Sequence, residues 1–298
     1  MPVLLAYVNA LIPVLFCTAL GYSLARRTNL LNSTSLATLV THIGLPTLIL
    51  NALLTMDAEL LSLSGTLWAI LAVLAISSLL GALVLRLSGL AIPGYLPMLV
   101  NPNTGNLGIP LVFALLGTEA LIHAVVISTV VQISHFTLGV WLLSGRFSLK
   151  SILRNGSILA LIAGVAWRLV DAPRPEAVLS TLSLLSGMTL PVMLLLLGKS
   201  LAGIDIRQLD RLGRIIGLAF ARVAIGLTSA ILVCLALPLA PLVQQTLLLQ
   251  ASMPVAVISY LLASHYNGPK DDIAAVILVS LPISLLAALG TQLFYSNG

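Results

Sequence analysis

Charge is scarce in this sequence. Only 8% of its 298 residues are Asp, Glu, Lys or Arg, while hydrophobic residues make up 59%. A soluble domain carries about 25% charged residues, so this chain cannot build an aqueous surface and must use lipid as solvent for most of its length. Acidic residues are the scarcer sign, nine against fourteen Lys and Arg. Asp57, Glu59, Glu119, Asp171, Glu176, Asp205, Asp210, Asp271 and Asp272 all fall at or beyond the ends of the apolar runs. That excludes a membrane-embedded carboxylate as a proton or sodium relay, and it suits an anionic substrate better than a cationic one.

Cysteine is nearly missing as well. Cys17 and Cys234 lie inside apolar runs, where a free thiol behaves as a small hydrophobe. No disulfide is expected, and no Cys/His spacing resembles a metal site. Signatures of catalysis are missing too: there is no HExxH or GxSxG, and no paired carboxylates in a helix core. Gly198-Lys199-Ser200 looks like the end of a P-loop, but Met193 stands where the earlier glycine belongs. ATP-driven pumping and intramembrane hydrolysis therefore lack their parts. No enzyme and no cofactor is expected.

What is present is a series of apolar runs, each near the roughly 20 residues a spanning helix needs. Ten spans are expected, at about 3–25, 33–56, 60–85, 93–115, 118–143, 151–170, 177–199, 213–238, 241–265 and 272–294. The connections are too short to hold another domain. The first run has Arg26-Arg27 after it and no basic residue before it, the reverse of a cleavable signal, so it is expected to remain as a helix. A net charge of +5 suggests nucleic acid only until the positions of the basic residues are seen. Arg26, Arg27, Arg86, Arg146, Lys150, Arg154, Arg207, Arg211, Arg214 and Lys270 occupy alternate short gaps, with little beyond Arg168 and Arg174 opposite. By the positive-inside rule those gaps are cytoplasmic. The expectation is a multi-pass protein of the plasma (inner) membrane with both termini on the non-cytoplasmic side, and no nucleic-acid partner.

The two halves also echo each other. Gly44-Leu45-Pro46 in span 2 is matched by Thr189-Leu190-Pro191 in span 7. Asn101-Pro102 in span 4 is matched by Met253-Pro254 in span 9, and Ile133-Ser134 in span 5 by Ile283-Ser284 in span 10, all about 150 residues apart. Five spans per half is an odd number, so the second half enters the membrane inverted, a common build of secondary transporters. The expected organisation is residues 1–145 as a first five-helix repeat and 146–298 as a second, inverted one.

The most unusual segment is Asn101-Pro-Asn-Thr-Gly-Asn-Leu-Gly-Ile-Pro110. Pro102 and Pro110 each remove a donor and clash with the preceding turn, and Gly105 tolerates open backbone geometry. The helix should break near the bilayer centre, and its freed backbone groups must face protein or a wet cavity, since lipid cannot satisfy them. Gln250-Ala-Ser-Met-Pro254 offers a simpler counterpart. Prolines such as Pro46, Pro191 and Pro282 are equally well read as kinks in packed helices. Three amides in the span 4 segment add a desolvation cost that packing does not require, and function is the better reading there. Half-helix N-termini, with partial positive charge and free N–H groups, are matched to a carboxylate.

Two ionisable residues fall within the expected membrane region. Arg222 lies about two turns inside span 8, where the ordinary role is to snorkel to the cytoplasmic interface and the alternative is a counter-charge for an anion. His42, one turn before Pro46, is most simply a neutral imidazole bonded to a neighbouring helix; the alternative is a proton carrier that titrates near neutral pH. His135 faces the same choice. Asn51 and Gln132 read as interhelical glue.

Taken together, these residues resemble the auxin efflux carrier family and its bacterial members over essentially the whole chain. The most specific stretch is Asn101–Pro110; Asn103 through Pro110 match an Asn-Thr-Gly-x-x-Gly-x-Pro form, and Met253-Pro254, His265-Tyr266-Asn267 and Leu281-Pro282-Ile283 follow the family order. No long loop separates spans 5 and 6, as in bacterial-type members. The resemblance implies an all-α fold of ten transmembrane helices in two inverted repeats, with scaffold and transport domains each drawn from both. It also implies that broken helices 4 and 9 cross at Pro102, Gly105, Pro110 and Pro254, with an organic acid bound beside the crossing. Carried over by position, the contact candidates are Asn101, Asn103, Thr104, Asn106, Ser252, Met253 and Val255; Asn106 departs from the apolar residue usual in bacterial members.

The expected function is a secondary carrier that moves a small carboxylate by an elevator-type alternating-access cycle, with H+ or Na+ as candidate coupling ions. The alternative is a membrane receptor that binds a similar ligand without moving it. A channel is opposed by the lack of a polar stripe along several helices. A homodimer is compatible with such a chain, and the sequence leaves the oligomeric state open.

Overall fold

The computed structural model describes residues 2–31, 35–55, 62–145, 156–203 and 211–296. Asp57, Glu59, Arg146, Lys150, Arg154, Asp205, Arg207 and Asp210 lie outside the described residues. Within them the chain is helical: α1 (Pro2–Arg27), α2 (Ser35–Thr55), α3 (Ser62–Leu87), α4 (Ile92–Val100), α5 (Thr104–Leu116), α6 (Thr118–Ser144), α7 (Gly156–Leu169), α8 (Glu176–Ala202), α9 (Leu212–Ala236), α10 (Pro241–Ala251), α11 (Val257–His265) and α12 (Lys270–Ser296). Seven of these are long and apolar enough to cross a bilayer: α1, α2, α3, α6, α8, α9 and α12. Expected spans 4 and 9 are each interrupted, giving the shorter pairs α4–α5 and α10–α11, and α7 is a shorter apolar helix of 14 residues. The protein is a polytopic, all-helical membrane protein.

The surface is the inverse of a soluble protein's. Leu79, Leu184, Leu235 and Leu286 point outward, whereas Arg222 is 1% exposed and Asn101, Thr189, Gln250 and Ser252 are fully enclosed. Lipid accepts the leucines without cost and would tax the polar groups heavily. Described carboxylates stay at helix ends: Glu119, Asp171, Glu176 and Asp271 are exposed. Asp272 in the first turn of α12 accepts from Tyr95 Oη and pairs with Arg214 at 2.8 Å.

Two apolar clusters divide the interior. One is built on α3, α4, α6, α9, α10 and α12, the other on α1, α2, α5, α6 and α8. α1 lies directly on α8 because Gly21 and Gly198 let the backbones touch. A Cβ on Gly198 would meet Thr18 O, with Tyr22 N at 2.5 Å and Gly21 C at 2.9 Å, the small-residue crossing expected in lipid. α7 packs on α2 in the same way, Gly164 fitting against Leu53. Arg168 in the last turn of α7 and Arg174 beyond its end donate to Leu53 O (3.2 Å) and Leu54 O (3.1 Å), satisfying carbonyls at the C-terminus of α2. α3 meets α9 through a hydroxyl pair, Ser77 Oγ donating to Ser229 Oγ at 2.9 Å.

Among the described residues three helices contain one widened turn with i→i−5 hydrogen bonds: Val40–Gly44 in α2, Thr104–Gly108 opening α5, and His135–Gly139 in α6. The first two precede Pro46 and Pro110, whose rings could not be seated in a regular turn without a clash four residues back.

Candidate functional site

The interruption of the fourth expected span follows from its residues. Pro102 has no N–H to continue the ladder, and Asn101 is extended (φ −105°, ψ 99°) with its N–H still on Pro97 O at 3.1 Å. The chain then crosses the second break. Pro102 and Val255 form an isolated antiparallel bridge, and Asn103 N–H donates to Pro254 O at 2.8 Å. Thr104 N–H turns back to Pro102 O at 2.8 Å, and Gly108 N–H closes the widened turn on Asn103 O at 3.0 Å. On the other strand, Val255 N–H is taken by Ser280 Oγ (3.2 Å) and Ser252 O by Ser284 Oγ (2.6 Å), both from α12. The backbone groups freed by two breaks therefore find partners in protein, as a membrane interior requires.

This crossing brings four helix ends to one place. α5 and α11 begin there, and α4 and α10 end there. The two N-termini open onto a cavity of about 120 Å³ lined by Asn103 with Thr104 and Asn106 of α5, and by Ala256 with Val257 and Ile258 of α11. Opening N–H groups of a helix have no intrahelical acceptor, and they carry partial positive charge. α6 supplies the polar wall, Ser128, Thr129, Gln132 and His135, while Leu45 and Ile49 of α2, Ser157 of α7 and Met193 of α8 close the far side. Asn103 is 4% exposed, and its Nδ2 has no hydrogen-bond partner among the described residues. A buried amide donor left open beside two helix N-termini is a costly arrangement for packing alone and a ready one for an anion. Thr104 Oγ1 reaches Ser128 Oγ at 3.4 Å, and His135 Nε2 pairs with Ser259 Oγ at 3.2 Å.

A family model described as membrane transport protein matches residues 6–147 and again 140–291. The chain belongs to this membrane transport family, that of the auxin efflux carriers. No curated protein matches it closely enough to add a relative.

Of the residues the sequence nominates in this transporter, Pro102, Asn103, Thr104, Gly105 and Asn106 line the cavity. Asn101, Pro110, Ser252, Met253, Pro254 and Val255 do not; they form the packed crossing behind it. Asn101 turns its amide to Pro97 O (3.1 Å), Ser252 Oγ bonds to Leu249 O (2.8 Å), and Met253 and Val255 are fully enclosed. His42 is exposed and its Nδ1 lies 3.1 Å from Thr38 O of its own helix, so it neither bonds a neighbouring helix nor reaches the cavity.

Arg222 does not snorkel. Its guanidinium is enclosed and donates to Leu99 O and, at 2.8 Å, to Ala251 O, the last carbonyls but one or none of α4 and α10. Gly226, one turn further along α9, makes the room: a Cβ there would meet Ala251 O and the guanidinium itself. Sequence reasoning underrated the α6 wall. Ser128, Gln132 and His135 follow i, i+4, i+7 spacing, one face of a helix, and that polar face was the available signal.

Proposed function

We propose that this membrane transporter is a secondary carrier for a small organic anion, a carboxylate bound beside the crossing and moved by an elevator-type cycle. The observation that carries the reading is the cavity at the crossing, where two half-helix N-termini and the open Asn103 amide converge with no carboxylate among its lining residues. Asn103, Thr104 and Asn106 are the proposed anion contacts, with Ser128 and Gln132 completing the polar wall and His135 held behind them by Ser259. Asn101, Ser252, Met253 and Val255 are assigned to shaping the crossing.

The cavity also lies between two sets of helices. One wall comes from α5, α6 and α11, the other from α2, α7 and α8. α1 packs on α8 and α7 on α2, while α3, α4, α6, α9, α10 and α12 share the other cluster. We assign α1, α2, α7 and α8 to a scaffold and the rest to a moving body, so that sliding one past the other exposes the site on alternate sides.

Counting each interrupted pair as one crossing, and α7 as one, yields ten spans, with 1–145 and 146–298 as inverted repeats. The packing supports that division: α1 on α8 has its counterpart in α7 on α2, Ser77 meets Ser229, and Pro102 meets Val255. Positive gaps then place both termini outside the plasma membrane.

The test is uptake of labelled C2–C4 carboxylates into proteoliposomes, with and without pH or sodium gradients. Asn103→Ala is expected to cut flux at least tenfold at normal protein yield. Binding without flux would replace the carrier by a receptor, and unchanged flux in Asn103→Ala would remove the site assignment.

A further inference from the structure

The crossing sorts its helix ends by sign. The N-termini of α5 and α11 open on the cavity, and the C-termini of α4 and α10 converge on Arg222. Helix C-termini carry partial negative charge and unsatisfied carbonyls, so one guanidinium, planar and always ionised, satisfies both at once. Among the described residues nothing else neutralises it. Among the described residues the carboxylates sit at or beyond helix ends, and the one partly buried, Asp272, is already paired with Arg214. The enclosed imidazoles His123 and His135 each pair with one hydroxyl, Thr66 and Ser259. Ile70 stands seven residues before Ser77 on α3, as Arg222 stands before Ser229 on α9, so the charge belongs to one half only.

We infer that Arg222 gives the moving body a fixed positive charge that a bound monoanion cancels, so that the loaded carrier crosses the membrane neutral and the empty carrier crosses as a cation. The inference rests on the carrier reading and on α9 moving with the crossing. Helix dipoles do not alter it, because a dipole carries no net charge and translating it through a uniform field does no work; a guanidinium does. Arg222 is thus a positioning residue for the two C-termini and sets which half of the cycle feels the membrane potential.

The consequence has a sign. An inside-negative potential draws the empty, cationic site toward the cytoplasm. It speeds the return step of net export, slows that of net import, and leaves exchange of labelled for unlabelled anion unaffected. A full unit charge crossing the whole field shifts the balance of the two empty states by at most about 50-fold per 100 mV.

The experiment uses proteoliposomes clamped with potassium and valinomycin, with labelled acetate, lactate or pyruvate as probe, whichever gives flux. Expected are net flux that changes several-fold over 100 mV and exchange that stays flat. Arg222→Lys keeps this pattern. Arg222→Met makes exchange voltage-sensitive as well, because the loaded form is then the charged one. Exchange that responds to voltage in the unmodified protein overturns the inference while leaving a carrier. That measurement decides the matter even where Arg222→Met does not fold. No flux of any of the three acids refutes the carrier reading and the inference with it.

Discussion

If the cavity at the crossing binds an anion, a negative charge placed in its wall must repel that anion by a calculable amount. Asn103→Asp is the change to make. Asn103 is held on both sides by main-chain bonds, its N–H on Pro254 O and its C=O under Gly108 N–H, so an isosteric side chain leaves the crossing where it is. The amide faces a cavity of about 120 Å³. A ligand charge inside so small a space lies about 5 Å away; at an effective dielectric of about 20, two like charges there cost about 3 kcal/mol. That corresponds to on the order of 200-fold weaker binding. The readout is the KM for carboxylate uptake beside the thermal stability of the purified variant. A rise in KM by two orders of magnitude at near-normal melting temperature is expected. A KM within threefold of the unmodified protein, at normal folding, refutes an anion at this place. A neutral analogue such as the amide of the same acid, if it binds at all, should lose far less, which separates charge from shape.

Three further outcomes follow from particular contacts. Gly198→Ala forces a Cβ into the backbone of α1 at Thr18 and Tyr22; overpacking of this kind costs about 1–3 kcal/mol, so the melting temperature falls, whereas Gly217→Ala, which meets nothing within 4 Å, leaves it unchanged or raises it. His42→Ala leaves uptake and its pH profile unchanged, because the ring is exposed and bonded only within its own turn; a lost pH dependence would return His42 to the mechanism. Tyr7→Phe removes a 2.6 Å bond from α1 to Leu285 O of α12, which ties the proposed scaffold to the moving body. Losing it destabilises this conformation by about 1 kcal/mol, and proteolysis or hydrogen exchange at the cavity lining should rise accordingly.

How far the sequence speaks for itself depends on whether a property is local. The break at Asn101–Asn103 is written in two prolines and three amides within ten residues, and chemistry at that density reads correctly without a structure. Span ends fall within a few residues of the helices because hydrophobic runs and charged stops are local as well. Arg222 departs from the snorkelling expectation for the opposite reason. Two turns inside a helix, snorkelling is the ordinary choice, but its partners are carbonyls 123 and 29 residues away in sequence, exposed only because two other helices stop there. His42 and His135 look alike in sequence, each beside a widened turn; the packing alone leaves one exposed and the other 2% exposed beside the cavity.

The interrupted helices also explain how the proposed anion site would be built in a core so poor in charge. A cationic side chain facing the ligand at the bilayer centre would cost about 2.5–3.5 kcal/mol to insert and would hold the ligand too tightly to let it go. Each helix terminus instead offers about half a unit charge, so two N-termini together present about one positive unit that is built from backbone. The same two breaks expose two C-termini, about one negative unit, which lipid cannot stabilise. One arginine matches that remainder. The fold thus splits a single requirement into two: a soft, releasable attraction on the cavity side, and a permanent bond on the other. A continuous helix at either position would remove one end of each kind, leaving the guanidinium half satisfied and the cavity half as attractive, so the two breaks and Arg222 stand or fall together.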